Sequence, residues 1–299
     1  MQICIKQMTP ETKTIVFNEL LFECRYWKGP KPAIVLLHGL SSTSMIWDLI
    51  CPKLVDSFSC YAIDLRGHGN TSKPDSGYDF NSIIKDVNHC IEMLGLNNFI
   101  LIGHSWGGNI ALDYASKFKN VNQLILIDGG FIEFTAIPGI DWPLIKKFLT
   151  PLDVSKFKWN ELVLKMKKNK PSNIALNWND QIESIRKNSF IIDEKNYVTR
   201  KLTINNHLKI LENLYNHHPS TLFSEVSIPT KIIEAKRNNI ESEIHLGFEF
   251  MKEKIFPQIK NLSNYSITTM QETLHDIALH KPDELVNIIK EFVKETTTT

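Results

Sequence analysis

Short apolar runs closed by turn residues recur along this chain, and a slower hydrophobic rhythm runs between them. Lys13–Phe17, Leu20–Trp27, Pro32–Leu37, Ser59–Asp64, Phe99–Ile102 and Gln123–Asp128 have the length and the β-branched content of strands. From about Asp79 to Leu94, by contrast, Ile83, Ile84, Val87, Ile91 and Leu94 fall on one stripe at helical spacing, and Gly95 supplies a stop. After the run at Phe99, Gly107, Ala111 and Ala115 recur at every fourth place. That spacing predicts a helix with one face small enough to lie close against a sheet. Strands alternating with helices imply an α/β chain, with a mostly parallel sheet covered by helices on both faces.

After Gly130 the strand rhythm stops. From about Phe131 to Phe223 no convincing strand is found, only helix-like stretches rich in lysine, asparagine and aromatic residues. Strands return at Thr230–Ala235 and near Asn264–Thr269, and a last amphipathic helix opens at Pro282 with Asp283 and Glu284 in its first turn. The expected organisation is a core domain of residues 1–130 and 224–299, interrupted by a helical cap of residues 131–223. Such an insertion belongs over the carboxyl edge of the strands, where open parallel sheets bind ligands.

The chemistry centres on Gly103-His104-Ser105-Trp106-Gly107, a G-x-S-x-G pattern set between an apolar strand and a helix. In that context the chain turns sharply at the serine. Side chains two places before and two places after it have no room, hence the glycines.

Four segments in order extend this pattern: HGL at His38–Leu40, DLRGHG at Asp64–Gly69, GHSWGG at Gly103–Gly108, and a late histidine in LHDIALHKP at Leu274–Pro282. Together they resemble the α/β-hydrolase superfamily with a helical cap. The resemblance implies the α/β-hydrolase fold and a serine nucleophile, Ser105, activated by a base, because a serine hydroxyl is a poor nucleophile near neutral pH. His275 matches the base by its place after the last strand and shortly before Pro282, with His280 standing where an acidic residue is often found. The oxyanion hole is expected from the backbone N–H groups of Trp106 and Leu40. DLRGHG resembles a structural turn, in which Asp64 and Arg66 fix loops.

The triad acid departs from the commonest pattern. The usual place, after the strand that follows the cap, holds Asn238, and an amide cannot balance an imidazolium. Asp128 ends the preceding strand, where some family members carry the acid instead. Glu241 and Glu243 lie just downstream of Asn238, and a Ser-His dyad is a further alternative.

Composition narrows the function. At 299 residues, with 42% hydrophobic and 22% charged residues, the chain is of ordinary globular type. A net charge of +1 gives no nucleic-acid footprint. No apolar stretch is long enough for a membrane span, and the start lacks the character of a secretion or transit signal. Five cysteines without a C-x-x-C pair fit a reduced, cytoplasmic setting. There is no phosphate loop and no G-x-G-x-x-G, and His217-His218 lacks partners at metal-ligand spacing, so neither a cofactor nor a metal is expected.

Trp142, Trp159, Trp178, Phe148 and Phe157 are candidates for the cap's own packing or for lining a pocket. The lysines from Lys146 to Lys170 read as a solvated face, with steering of an anionic substrate as the alternative. The function implied is hydrolysis of an ester or related acyl bond of a small molecule, with water as co-substrate. Serine in place of aspartate argues against the epoxide- and haloalkane-cleaving relatives. A ligand-binding receptor on the same fold and a lyase using the same triad are the alternatives. Oligomeric state has no signature in the sequence.

Overall fold

The computed structural model describes residues 9–168, 178–237 and 243–297. Its strands are β1 (Glu11–Phe17), β2 (Leu20–Trp27), β3 (Ala33–Leu37), β4 (Ser59–Ile63), β5 (Phe99–His104), β6 (Val121–Ile127), β7 (Phe190–Ile192), β8 (Val198–Arg200), β9 (Thr230–Lys236) and β10 (Tyr265–Gln271). The helices are α1 (Cys51–Leu54), α2 (Phe80–Met93), α3 (Trp106–Lys117), α4 (Trp142–Leu149), α5 (Trp159–Lys168), α6 (Asp180–Lys187), α7 (Ile204–Tyr215), α8 (Glu243–Ile255), α9 (Ile277–His280) and α10 (Pro282–Thr297).

Eight strands form one sheet in the order β1-β2-β4-β3-β5-β6-β9-β10. Both pairings of β2 are antiparallel, and the remaining neighbours are parallel. β3, Phe99–Ile102 of β5 and Leu124–Ile127 of β6 are apolar at every position because both faces are covered, and the pleat divides them between two cores. Val35, Leu37, Phe99, Leu101, Leu124 and Leu126 join the cluster holding the buried stripes of α2 and α3. Their sequence neighbours Ile34, Leu36, Ile100, Ile102, Ile125 and Ile127 join the opposite cluster, with α1, α9 and α10. Asp79 caps α2, its side chain accepting the Ser82 N–H. The strand order reverses between β3 and β5, so their carboxyl ends flank a topological switch point.

Between β6 and β9 the described residues hold α4, α5, α6 and α7, in keeping with the helix-like stretches expected there, and also the two-stranded β7–β8 hairpin, which was not expected. Three-residue strands are too short to show alternation. The hairpin is set instead by the Asp193 carboxylate, which accepts the N–H groups of Lys195 and Tyr197 at 2.9 and 2.8 Å. Trp159 and Phe157 pack against Phe190 and Val198 of this hairpin, and both Trp159 and Trp178 donate their indole N–H to Glu183. These aromatic side chains therefore serve the packing of the inserted segment, while Phe148 stays exposed.

The insertion meets the loops at the carboxyl ends of the sheet. Asn188 donates to Thr43, Lys201 donates to Asn70, and Arg186 pairs with Asp276. Among the described residues no helix is long and apolar enough to cross a membrane.

Candidate active site

Ser105 stands between β5 and α3 with φ 55° and ψ −124°, a conformation L-residues rarely adopt. The packing around it enforces the turn. A Cβ on Gly103 would meet the Gly107 carbonyl oxygen at 2.2 Å, and one on Gly107 would meet the Leu37 and His38 carbonyl oxygens at 2.5 Å. Helix α3 can thus approach β3 and β5 only through residues without side chains.

The Ser105 Oγ–H donates to His275 Nε2 at 2.8 Å, and the His275 Nδ1–H donates to Asp128 Oδ2 at 2.6 Å. His275 enters from the loop after β10, and Asp128 directly follows β6. Asp128 has φ 41°, a left-handed position for a non-glycine residue, held because its own N–H donates to the Ile233 carbonyl at 2.7 Å. Its Oδ1 accepts the Ala235 N–H at 3.2 Å. Asn238 and Glu241 lie outside the described residues, and of Glu243 only its place at the start of α8 is described.

Burial would raise the Asp128 carboxyl. The hydrogen bond from His275 and the nearby Lys252 ammonium outweigh it and hold the group at about 2. Burial likewise opposes charge on His275, but half of this side chain's surface is open (50%). The hydrogen bond to Asp128, then the charges of Asp128 and Asp276, raise its proton affinity above the ordinary imidazole value. The neighbouring His104 donates its Nε2–H to the His275 carbonyl at 2.8 Å. Burial lowers the His104 imidazole to about 4, so it is a neutral support. His280 serves the same loop, its Nδ1 accepting the Leu274 N–H at 3.4 Å.

The two backbone donors expected for an oxyanion belong to Trp106 and Leu40. Trp106 is the first residue of α3, where N–H groups have no intrahelical acceptor and the dipole is positive. Leu40 follows Gly39, on which a Cβ would lie 3.0 Å from Ser105 Cβ, so this loop runs directly against the nucleophile. The next residue, Ser41 (φ 63°), is clamped on three sides. Its N–H donates to His68 Nε2 at 3.1 Å, its Oγ–H donates to His207 Nδ1 at 2.8 Å, and its carbonyl accepts from Ser189 Oγ at 3.4 Å. His207, on α7 of the insertion, donates its Nε2–H to the Leu149 carbonyl at 3.0 Å, and burial lowers it to about 4.

In the turn after β4, Asp64 accepts the N–H groups of Ser44 and Asn70, and Arg66 makes a bidentate pair with Asp86 at 2.6 and 2.7 Å. Asp64 ties two loops together, and Arg66 ties this turn to α2 and to the Ser76 carbonyl. The sequence pattern points to Ser105, His275, Asp128, Leu40 and Trp106, and it misses Lys252, His207 and Arg186. A lysine, a histidine and an arginine on amphipathic helices read as solvated positions, and only their long-range partners distinguish them.

Residues 32–169 match the family model described as the alpha/beta hydrolase fold. Taken with the sheet order and the strand–serine–helix turn, this gives the chain the α/β-hydrolase fold. A 2-(acetamidomethylene)succinate hydrolase of Mesorhizobium japonicum is 33% identical over 116 residues, covering 38% of this chain and 42% of that one. A soluble epoxide hydrolase of Corynebacterium is 35% identical over 96 residues, covering 32% and 34%. The chain thus spans well under half the length of these curated relatives. The crystal structure of E-2-(acetamidomethylene)succinate hydrolase superposes with a TM-score of 0.74 at 18% identity, covering 95% of this chain and 99% of that one.

Proposed function

We propose that this chain is a cofactor-free hydrolase that cleaves an ester or related acyl bond of a small molecule through a Ser105–His275–Asp128 triad. The observation that carries the reading is the unbroken relay of hydrogen bonds from Ser105 Oγ through His275 to Asp128, at 2.8 and 2.6 Å. In acylation the Ser105 oxygen bonds to the carbonyl carbon while His275 Nε2 takes its proton. The negative oxygen sits against the N–H groups of Leu40 and Trp106, and removing one such donor costs about 10²–10³ in rate in other enzymes. The carbon–oxygen bond to the leaving group then breaks, and His275 returns the proton to the departing alcohol. Water attacks the acyl-enzyme, gives its proton to His275, and Ser105 recovers it, so ester and water become acid and alcohol. Asp128 keeps the imidazole in the required tautomer and balances its charge.

A serine nucleophile favours acyl chemistry over the epoxide and carbon–halogen cleavage for which other relatives are named. Displacement at a saturated carbon would leave a serine ether that water does not resolve, whereas an acyl-serine is an ester that it does. Asp128 beside His275 also answers the amide at Asn238, the feature that spoke for a receptor without turnover. Residues 131–223 act in this reading as a cap over the site.

The test is a panel of chromogenic esters of graded acyl length, run alongside a fluorophosphonate probe. Turnover and labelling at Ser105 are expected, with both lost in Ser105→Ala. A wild-type chain that takes no label, or an alanine variant as active as its parent, removes the proposal.

A further inference from the structure

Lys252, on α8, is only 8% exposed and turns its ammonium inward to the ends of β6 and β9. Its Nζ donates to the Ala235 carbonyl at 2.9 Å and to Glu249 Oε1 at 3.2 Å. It lies 3.5 Å from both Asp128 Oδ1 and Glu234 Oε1. Glu234 is equally buried and is tied to β10 by the Thr269 hydroxyl, which donates to its Oε2 at 2.9 Å. The proton relay of the proposed mechanism uses none of this. A buried ammonium carries a desolvation cost that a methionine of similar length does not, so its presence against the back of the triad acid calls for a physical role.

We propose that Lys252 is a positioning residue of the hydrolytic site: it holds the Asp128 carboxylate from behind, and its charge sets how readily His275 takes a proton. This rests on the triad reading above. The two oxygens of Asp128 are divided between two cationic partners, Oδ2 facing His275 and Oδ1 facing Lys252 and the Ala235 N–H. That division fixes the rotation of the carboxylate, and with it the plane in which the imidazole is held.

The electrostatic part follows from the groups around each partner. His275 faces Asp128 from β6, Asp276 from its own loop, His104 from β5 with ring centroids 4.8 Å apart, and Ser105. Asp276 is itself paired with Arg186 of α6, and His104 is neutral near pH 7. Lys252 faces Asp128, Glu234 on β9 and Glu249 on its own helix. It is thus a cation that offsets the carboxylates on the far side of the triad acid. It keeps Asp128 ionised while tempering the negative potential at the imidazole, so His275 remains available as a base closer to neutrality.

The experiment compares wild type, Lys252→Met, Glu234→Gln and the double variant. One readout is the NMR titration of the His275 ring Cε1–H, assigned by its loss in His275→Gln. The other is the pH dependence of fluorophosphonate labelling at Ser105. In Lys252→Met the His275 midpoint rises by about one pH unit, and labelling on the acid side falls about tenfold. Glu234→Gln moves the midpoint down, and the double variant, which removes one charge of each sign, returns it toward wild type.

Midpoints that stay within about 0.2 pH units of wild type in folded Lys252→Met and Glu234→Gln overturn the proposal. Should Lys252→Met fail to fold by circular dichroism, the double variant carries the test, and a midpoint there equal to that of Glu234→Gln overturns the proposal equally. A wild-type chain unlabelled at Ser105 sinks the hydrolase reading, while the NMR titration still decides whether Lys252 governs His275.

Discussion

At Ser105 and again at Asp128, non-glycine residues are held at positive φ, 55° and 41°. Each such conformation costs about 1–3 kcal/mol and persists only when the surroundings over-determine it. Here they do: a Cβ on Gly129, next to Asp128, would lie 2.2 Å from the Ser105 carbonyl oxygen, so the two strained turns interlock. Replacing Asp128 with asparagine keeps this shape but removes the charge and permits the wrong imidazole tautomer. Turnover of the best chromogenic ester is expected to fall about 10⁴-fold with folding unchanged by circular dichroism. In wild type the raised His275 must lose its proton to act as a base, so kcat/KM falls as the pH drops through a midpoint above the ordinary value of 6.5. A pH–rate profile checks that sign. Motif and order led to the expectation that Ser105 and His275 meet, as their hydrogen bond has it. Asp128 was the favoured of several carboxylates, and its contact with His275 depends on the spacing between neighbouring strand ends.

Among the elements, the insertion reaches the loop that carries Leu40 through α7 and the residue preceding β7. His207 and Ser189 both bind Ser41, one residue beyond the proposed oxyanion donor. A displacement of about 1 Å at such a position can cost 10²-fold in rate. His207→Ala should therefore lower kcat about 10- to 100-fold, with a smaller change in KM, since it removes the partner of the Ser41 hydroxyl without touching the triad. Steady-state kinetics separate the two constants, and a kcat equal to wild type would show that the loop holds its shape without this contact. Composition gave only helix-like stretches between Phe131 and Phe223, without bounds, and the β7–β8 hairpin and the partners of His207 and Arg186 were hidden. A periodicity reports which side of a helix is apolar, and it is silent on which distant loop the polar side meets.

Over the whole molecule, the parallel sheet gathers its chemistry at one edge and buries several titratable groups there. His104 and His207 are held neutral, both lowered from 6.5 to about 4, so the unfolded chain binds more protons than the folded one between those values. Their contribution to stability is complete above 6.5 and is lost as the pH falls toward 4, amounting to about 3 kcal/mol at most for each. Asp128, depressed from 3.8 to about 2, adds a second loss below pH 4. His275, raised, works in the opposite sense and is most favourable below 6.5. Denaturant midpoints should therefore decline from pH 6.5 to 4, and less steeply in His207→Ala, a slope that urea titrations across this range can measure. Pattern along the chain determined the α/β class, the strand and helix order and the turn at Ser105, because these depend on neighbours a few residues apart. Tertiary structure alone decided which carboxylate meets His275, that a buried lysine stands behind it, and that the insertion grips the loop at Ser41. Those contacts join residues separated by a hundred positions or more, and no local periodicity encodes such distances.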